Sequence, residues 1–244
     1  MFDRVEADGA SDEAGGKSLK RSAALVLLLA IMLASSSARA AGGPHVVDDS
    51  EPETPGVCHF ETWVSPSLSG GGYVNESPAC TMTKIPWLQL GAAYQHFWGP
   101  TFNGPIFGPA AKINFRHEDS GLGVGLGLNS GVNLQTGELA TASTLMLVTV
   151  PIDDRVRFNF NAGWSYVNSD TPNSFFYGGQ FEAEVGGDIL LMIEAFGRAA
   201  NSPGTQMGLR YTPHGGPFDF DLLVANYFGA VNTQVVTFGV TIRY

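Results

Sequence analysis

The chain carries five histidines, the side chain best suited to acid–base work near neutral pH. His45, His59, His96, His117 and His214 are scattered, and none stands with another at metal-ligand spacing, so no metal site is expected. A lipid hydrolase at a membrane rim would need a serine, a histidine and an acid. His96, beside Gln95, is the candidate for that role, yet no His-x-Ser pair falls on a strand and no Gly-x-Ser-x-Gly elbow occurs. His96 therefore reads as an interfacial or lumen side chain, and no catalytic residue is assigned. The run "GLGVGLG" imitates a nucleotide-binding loop, but such a loop leaves a strand and opens a helix. Glycines alternating within one strand make room instead. "NES" at Asn75 matches a glycosylation acceptor only by chance. Neither an enzyme activity nor a cofactor is expected.

The charges are more informative. Beyond residue 41 the only basic residues are Lys84, Lys112, Arg116, Arg155, Arg157, Arg198, Arg210 and Arg243, in a chain of formal charge -10. That balance argues against a protein that tracks nucleic-acid phosphates. All but Lys84 fall on the polar faces of alternating segments, as do Glu182, Glu184, Glu194, Asp219 and Asp221. A hairpin centred near Ser202 sets Glu194 opposite Arg210, and one centred near His214 and Gly215 sets Arg210 opposite Asp219. The last hairpin brings Asp219 near Arg243, and Arg157 meets Glu184 across "VNSDTPNSF". Such pairs suit a confined polar interior, where an unpaired charge is costly. Two roles are open to this lining: a filling of mutually satisfied ion pairs, which is the plainer reading, or a surface that selects solutes.

The elements that hold these charges are strands. In "RVRFNFNAGWSY" the residues Val156, Phe158, Phe160, Ala162, Trp164 and Tyr166 share one face and Arg155, Arg157, Asn159, Asn161, Gly163 and Ser165 the other, a period of two. About twelve such segments follow one another, with ten as the alternative: 57–65, 75–83, 87–97, 109–116, 121–130, 139–150, 155–167, 175–185, 188–198, 204–212, 217–226 and 234–244. Lengths of about nine to eleven residues fit a tilted crossing of a bilayer better than the five or six usual in soluble sheets. Tight and long connections alternate, and aromatic residues gather near strand ends (Phe97, Trp98, Phe102; Trp164, Tyr166, Phe175, Tyr177; Tyr227, Phe228; Tyr211, Phe218, Tyr244), as an interfacial girdle requires. The expected fold is all-β: a closed antiparallel up-and-down transmembrane barrel over 57–244. A soluble β-sandwich with its apolar faces inward is the rival fold.

Ahead of the strands, Lys17, Lys20 and Arg21, the apolar run 23–34 and Ala38-Arg39-Ala40 compose a secretory signal peptide over 1–40. It follows an acidic extension that a misassigned start codon would account for. Residues 41–56, acidic and rich in Pro and Gly, read as a disordered linker. Cys58 and Cys80 both lie in the exported part and fall opposite each other at the open end of a hairpin turning at "SLSGGG", so a disulfide is expected.

The C-terminal strand is apolar at Val236, Phe238, Val240, Ile242 and Tyr244. It resembles the terminal signature by which assembly machinery recognises bacterial outer-membrane barrels. The order "IPWLQLGAAY", "GPAAKINFR", "FNFNAGWSY", "ILLMIEAFG", "QMGLRYTP" and "FGVTIRY" resembles the family of small barrels known for the meta-pathway of phenol degradation. The resemblance implies a monomer in the outer membrane of a Gram-negative cell, with lipid and the barrel assembly machinery as partners. It also implies passive passage or binding of small, apolar or aromatic solutes. A barrel without a conducting path is the alternative.

Overall fold

The structure, a computed structural model, describes residues 43–100, 102–199, 203–229 and 232–244. The expected signal peptide lies outside the described residues. Twelve strands are described: β1 Cys58–Pro66, β2 Gly72–Thr81, β3 Leu88–Trp98, β4 Gly104–Arg116, β5 Gly123–Asn133, β6 Leu139–Pro151, β7 Val156–Val167, β8 Asn173–Gly186, β9 Ile189–Arg198, β10 Gly204–Tyr211, β11 Phe218–Tyr227 and β12 Thr233–Arg243. Each pairs antiparallel with the next, and β1 pairs with β12 to close the ring. The count is twelve rather than ten, and no helix among the described residues is long and apolar enough to cross a membrane.

The period-two pattern sorts the side chains as the sequence predicts. Asn159, Asn161, Gln180, Glu182, Asp219 and Asp221 are buried inside the ring, whereas Phe160, Trp164, Phe220, Leu222 and Phe238 are exposed outside it. Closure is made at the last residue: Cys58 and Tyr244 exchange both backbone hydrogen bonds at 2.9 Å. The C-terminal strand is thus held by the first one. Cys58 is also bonded to Cys80 across the first hairpin, so β1 is fixed on both sides. Between β8 and β9 the chain reverses through Gly187 and Asp188, both at positive φ (64° and 65°), the backbone that a two-residue hairpin turn demands.

Three expectations are corrected. Arg210 lies opposite Asp221, Glu194 opposite Gln206 and Arg157 opposite Glu182, so the Arg210 and Arg157 pairings are displaced two residues from the expected partner and that of Glu194 four. The hairpin centres differ from those expected but the faces do not: an even slip keeps every side chain on its side of the sheet. Among the aromatics assigned to the girdle, Phe97 shares the inward face of Gln95, and Tyr227 packs on the buried Phe196 with ring centroids 5.7 Å apart. The interior is not wholly polar either, since Leu190, Met192, Phe196, Leu223 and Ala225 are buried within it.

The third correction concerns the segment that composition marks as disordered. Residues 43–56 run through the lumen, with Val47, Asp49, Ser50, Glu51 and Glu53 buried. The acidity that suggests disorder in free solution is here matched by wall cations and amides.

Candidate functional site

Residues 43–56 form a strap that follows the inner wall. Glu53 accepts from Arg243 of β12 at 2.7 Å and its own N–H donates to Gln89 of β3 at 2.7 Å. Glu51 accepts from the Asn114 side chain of β4 at 3.1 Å and from the N–H of Glu118 at 2.8 Å, with His117 Nδ1 2.7 Å away. Ser50 N–H donates to Thr149 of β6 at 2.9 Å. Asp48 and Asp49 meet Lys112 at 2.8 and 3.1 Å, and Asp49 meets Arg157 of β7 at 3.2 Å. The amides of Val46 and Val47 donate to Glu194 of β9 at 3.0 and 3.1 Å, and His45 Nδ1 lies 2.7 Å from the same carboxylate. Gly43 N–H donates to Glu61 of β1 at 2.7 Å, which brings the path back to where it began.

The alternating glycines of β5 explain how the strap fits. A Cβ on Gly125 would stand 2.9 Å from Ser50 O, and one on Gly178 of β8 would stand 2.6 Å from a methyl of Val47. Both are shorter than van der Waals contact permits, so the wall is bare where the strap crosses it.

Of the charges read from sequence, the structure gathers Lys112, Arg157, Glu182, Glu194, Arg210, Asp219, Asp221 and Arg243 into the lumen. Arg157 donates to Glu182 at 2.7 Å, Arg210 to Asp221 at 2.8 Å, and Arg243 to Asp219 at 2.7 Å. The other four lie at strand ends or in turns, apart from this network. Arg116 is exposed and donates to Ser120 O at 2.9 Å, and Arg155 is exposed in the turn before β7. Glu184 is half-buried near the end of β8, and Arg198 donates to Ser165 Oγ and Pro172 O at 2.9 Å each. His96 shares the outward face of Val74, away from the lumen.

The functional residues that sequence reasoning missed are those of the strap, Asp48, Asp49, Glu51 and Glu53, together with Glu61 and Glu118 of the wall. One signal was available. Lys112 has no acidic residue opposite it, its neighbours across the sheet being Gln89 and Gly127. A cation buried in a barrel with no wall partner calls for an acid from elsewhere.

The strap circles the wall, and ion pairs and apolar side chains pack the side of the lumen formed by β7 to β12. On the side of β1 to β6 a cavity of about 350 Å³ remains, lined by Trp63, Asn75, Gln95, Asn129, Lys112, Asp48 and small residues such as Gly91, Ala93, Gly108 and Gly131. Inward-facing Tyr73 and Phe97 stack at 5.1 Å at the end of the barrel remote from Tyr244, and Phe97 meets Phe102 at 5.6 Å.

Solved structures share this architecture. The chain is similar to the KdgM porin (TM-score 0.61, 9% identity) and to the NanC porin (TM-score 0.60, 7% identity), the matches covering 75% of this chain and 98% of each of those. A second KdgM porin structure, in complex with disordered oligogalacturonate, matches with a TM-score of 0.59 at 9% identity over the same shares. At such identities the likeness establishes the porin-type barrel fold. No curated protein sequence matches the chain. The resemblance to the phenol-degradation family is not confirmed, because the family whose match spans the strands is another. The match covers residues 29–244, and the chain belongs to the family described as uncharacterised conserved protein UCP029691.

Proposed function

We propose that the protein is an outer-membrane barrel that gives small solutes passive passage, or a binding place, along the β1–β6 side of its lumen. The observation that carries this reading is the cavity of about 350 Å³ left beside the strap inside a closed ring. Ligand sites are concave and partly apolar with a few placed polar groups, and Trp63 among Asn75, Gln95 and Asn129 meets that description. The band of exposed Phe, Leu, Val and Trp on the outer face supports lipid contact and monomeric insertion. The leader expected over 1–40 would export the chain, and the apolar face of β12 would present it to the assembly machinery.

Tyr73 and Phe97 at the mouth favour solutes with an apolar or aromatic part, whereas the similar KdgM structure is a complex with disordered oligogalacturonate. A second reading, a sealed barrel serving structure alone, draws on the strap and on the apolar packing of Leu190, Met192, Phe196 and Leu223. Reconstitution separates the two. Purified protein in planar bilayers should show discrete conductance steps and should speed the swelling of liposomes in small solutes. A folded, heat-modifiable protein that does neither would establish the sealed barrel.

A further inference from the structure

Among the described residues, the cations beside the cavity and in the central ion-pair network are engaged with carboxylates. Lys112, the cation that lines the cavity, keeps 7% of its side-chain surface and donates to Asp48, to Asp49 and to the carbonyl of Glu51 at 2.8, 3.1 and 3.1 Å. Arg157 is held by Glu182 and Asp49, Arg210 by Asp221, and Arg243 by Glu53 and Asp219. The carboxylates are not equally spent. Asp48 keeps 40% of its side-chain surface and lines the same cavity, as does Glu61. Each of the two cavity histidines stands beside carboxylates: His45 lies 2.7 Å from Glu194, and His59 sits between Glu53 and Glu61 at 3.5 and 3.6 Å.

From this geometry we infer that the lumen discriminates by charge, admitting neutral and cationic small solutes ahead of anions, and that Asp48 of the strap sets the preference. The inference rests on the passage or binding function proposed above and names its solute class. An anion entering the cavity finds no cation that is not already bound to carboxylates, and it passes an exposed one. A cation finds Asp48 as a partner, and acidic side chains lining a pore select cations in this way. The strap therefore does more than narrow the lumen. Its carboxylates occupy the basic positions that an anionic solute would use.

Reversal potentials in a KCl gradient across planar bilayers test this. The wild-type protein should favour potassium over chloride by at least about fivefold, the factor by which one unit charge at contact distance in water enriches an attracted ion. Asp48→Asn should bring the ratio close to one, and Asp48→Glu should retain the preference. Heat-modifiable mobility would verify that each variant is folded. Swelling of liposomes in benzylammonium, benzyl alcohol and benzoate, one ring with three charges, should show benzoate the slowest. A wild-type ratio at or below one, or benzoate entering fastest, would overturn the inference and leave the passage function standing. Absence of any conductance or swelling from folded protein would overturn the passage function and the inference with it.

Discussion

Glu194 holds three consecutive residues of the strap. Its carboxylate takes the amides of Val46 and Val47, lies 2.7 Å from His45, and accepts from Gln180 at 3.1 Å. It is almost wholly buried, so truncating it would strand several donors in a place without water. Losing one partner of a buried charged network costs roughly 3–5 kcal/mol. Glu194→Ala should therefore lower the temperature at which the folded band disappears on gels. It should also speed hydrogen exchange at Val46 and Val47 while leaving the amides of β4 and β5 protected. Glu194→Gln, which retains a carbonyl acceptor, should do less of both. If the two amides exchange at the wild-type rate in Glu194→Ala, the strap is held by something else. Arg210 offers the complementary case: it was assigned inward from the period of two, and its partner was placed on Asp219. The structure gives Asp221 at 2.8 Å and Asp219 at 3.7 Å. Face follows from parity, which any alternating sequence reveals, but register depends on the geometry of each turn. The Pro213–Gly215 turn, with His214 and Gly215 both at positive φ, moved this centre.

Nine of the twelve strands were legible to within two residues at each end because each one repeats its own evidence every second position. By contrast, β4 begins five residues before the expected bound, and β2 and β5 are each displaced by up to three. The disulfide was legible because hairpin folding and compartment agreed on Cys58 and Cys80. The strap was not. Composition judges a segment by whether it can bury apolar surface of its own, and "GPHVVDDSEPETPG" cannot. Its order comes from Lys112, Arg157 and Arg243, which are remote in sequence and become neighbours only when the barrel closes. The glycines of β5 were read as lumen space, and Gly127 and Gly131 do line the cavity, but Gly125 serves the strap. This assignment predicts that deleting residues 43–56 leaves a barrel that still inserts, because the backbone ladder is untouched. The strap occupies part of the lumen cross-section, so conductance should rise roughly twofold. Freed from Asp48 and Asp49, Lys112 should also shift the ion preference toward anions. Conductance unchanged by the deletion would mean that the path does not run past the strap.

For the whole molecule, the arrangement of polarity is inverted relative to a soluble domain. Glu182, Glu194, Arg210 and Asp219 are enclosed, while Phe160, Phe220, Leu222 and Phe238 each expose more than two-fifths of their surface. A soluble sandwich would reverse these assignments, and the closed strand order excludes two separate layers. The inversion makes the surrounding medium testable through a single side chain. Phe160 stands near the middle of β7, outward, opposite Val148 and Gly179, and is 48% exposed. In water, an arginine at so exposed a site would change stability by only about 0.5 kcal/mol in either direction. On the lipid face of a barrel near the bilayer midplane it costs about 2–4 kcal/mol, and less toward the rims. Phe160→Arg should accordingly destabilise the protein in phospholipid vesicles by an amount in that range, read from urea titration of the folded band. The same change at Phe218, where β11 begins, should cost much less, because that position lies at the rim. Equal and small costs at both positions would mean that the exposed band does not face lipid, and the outer-membrane assignment would fall with it.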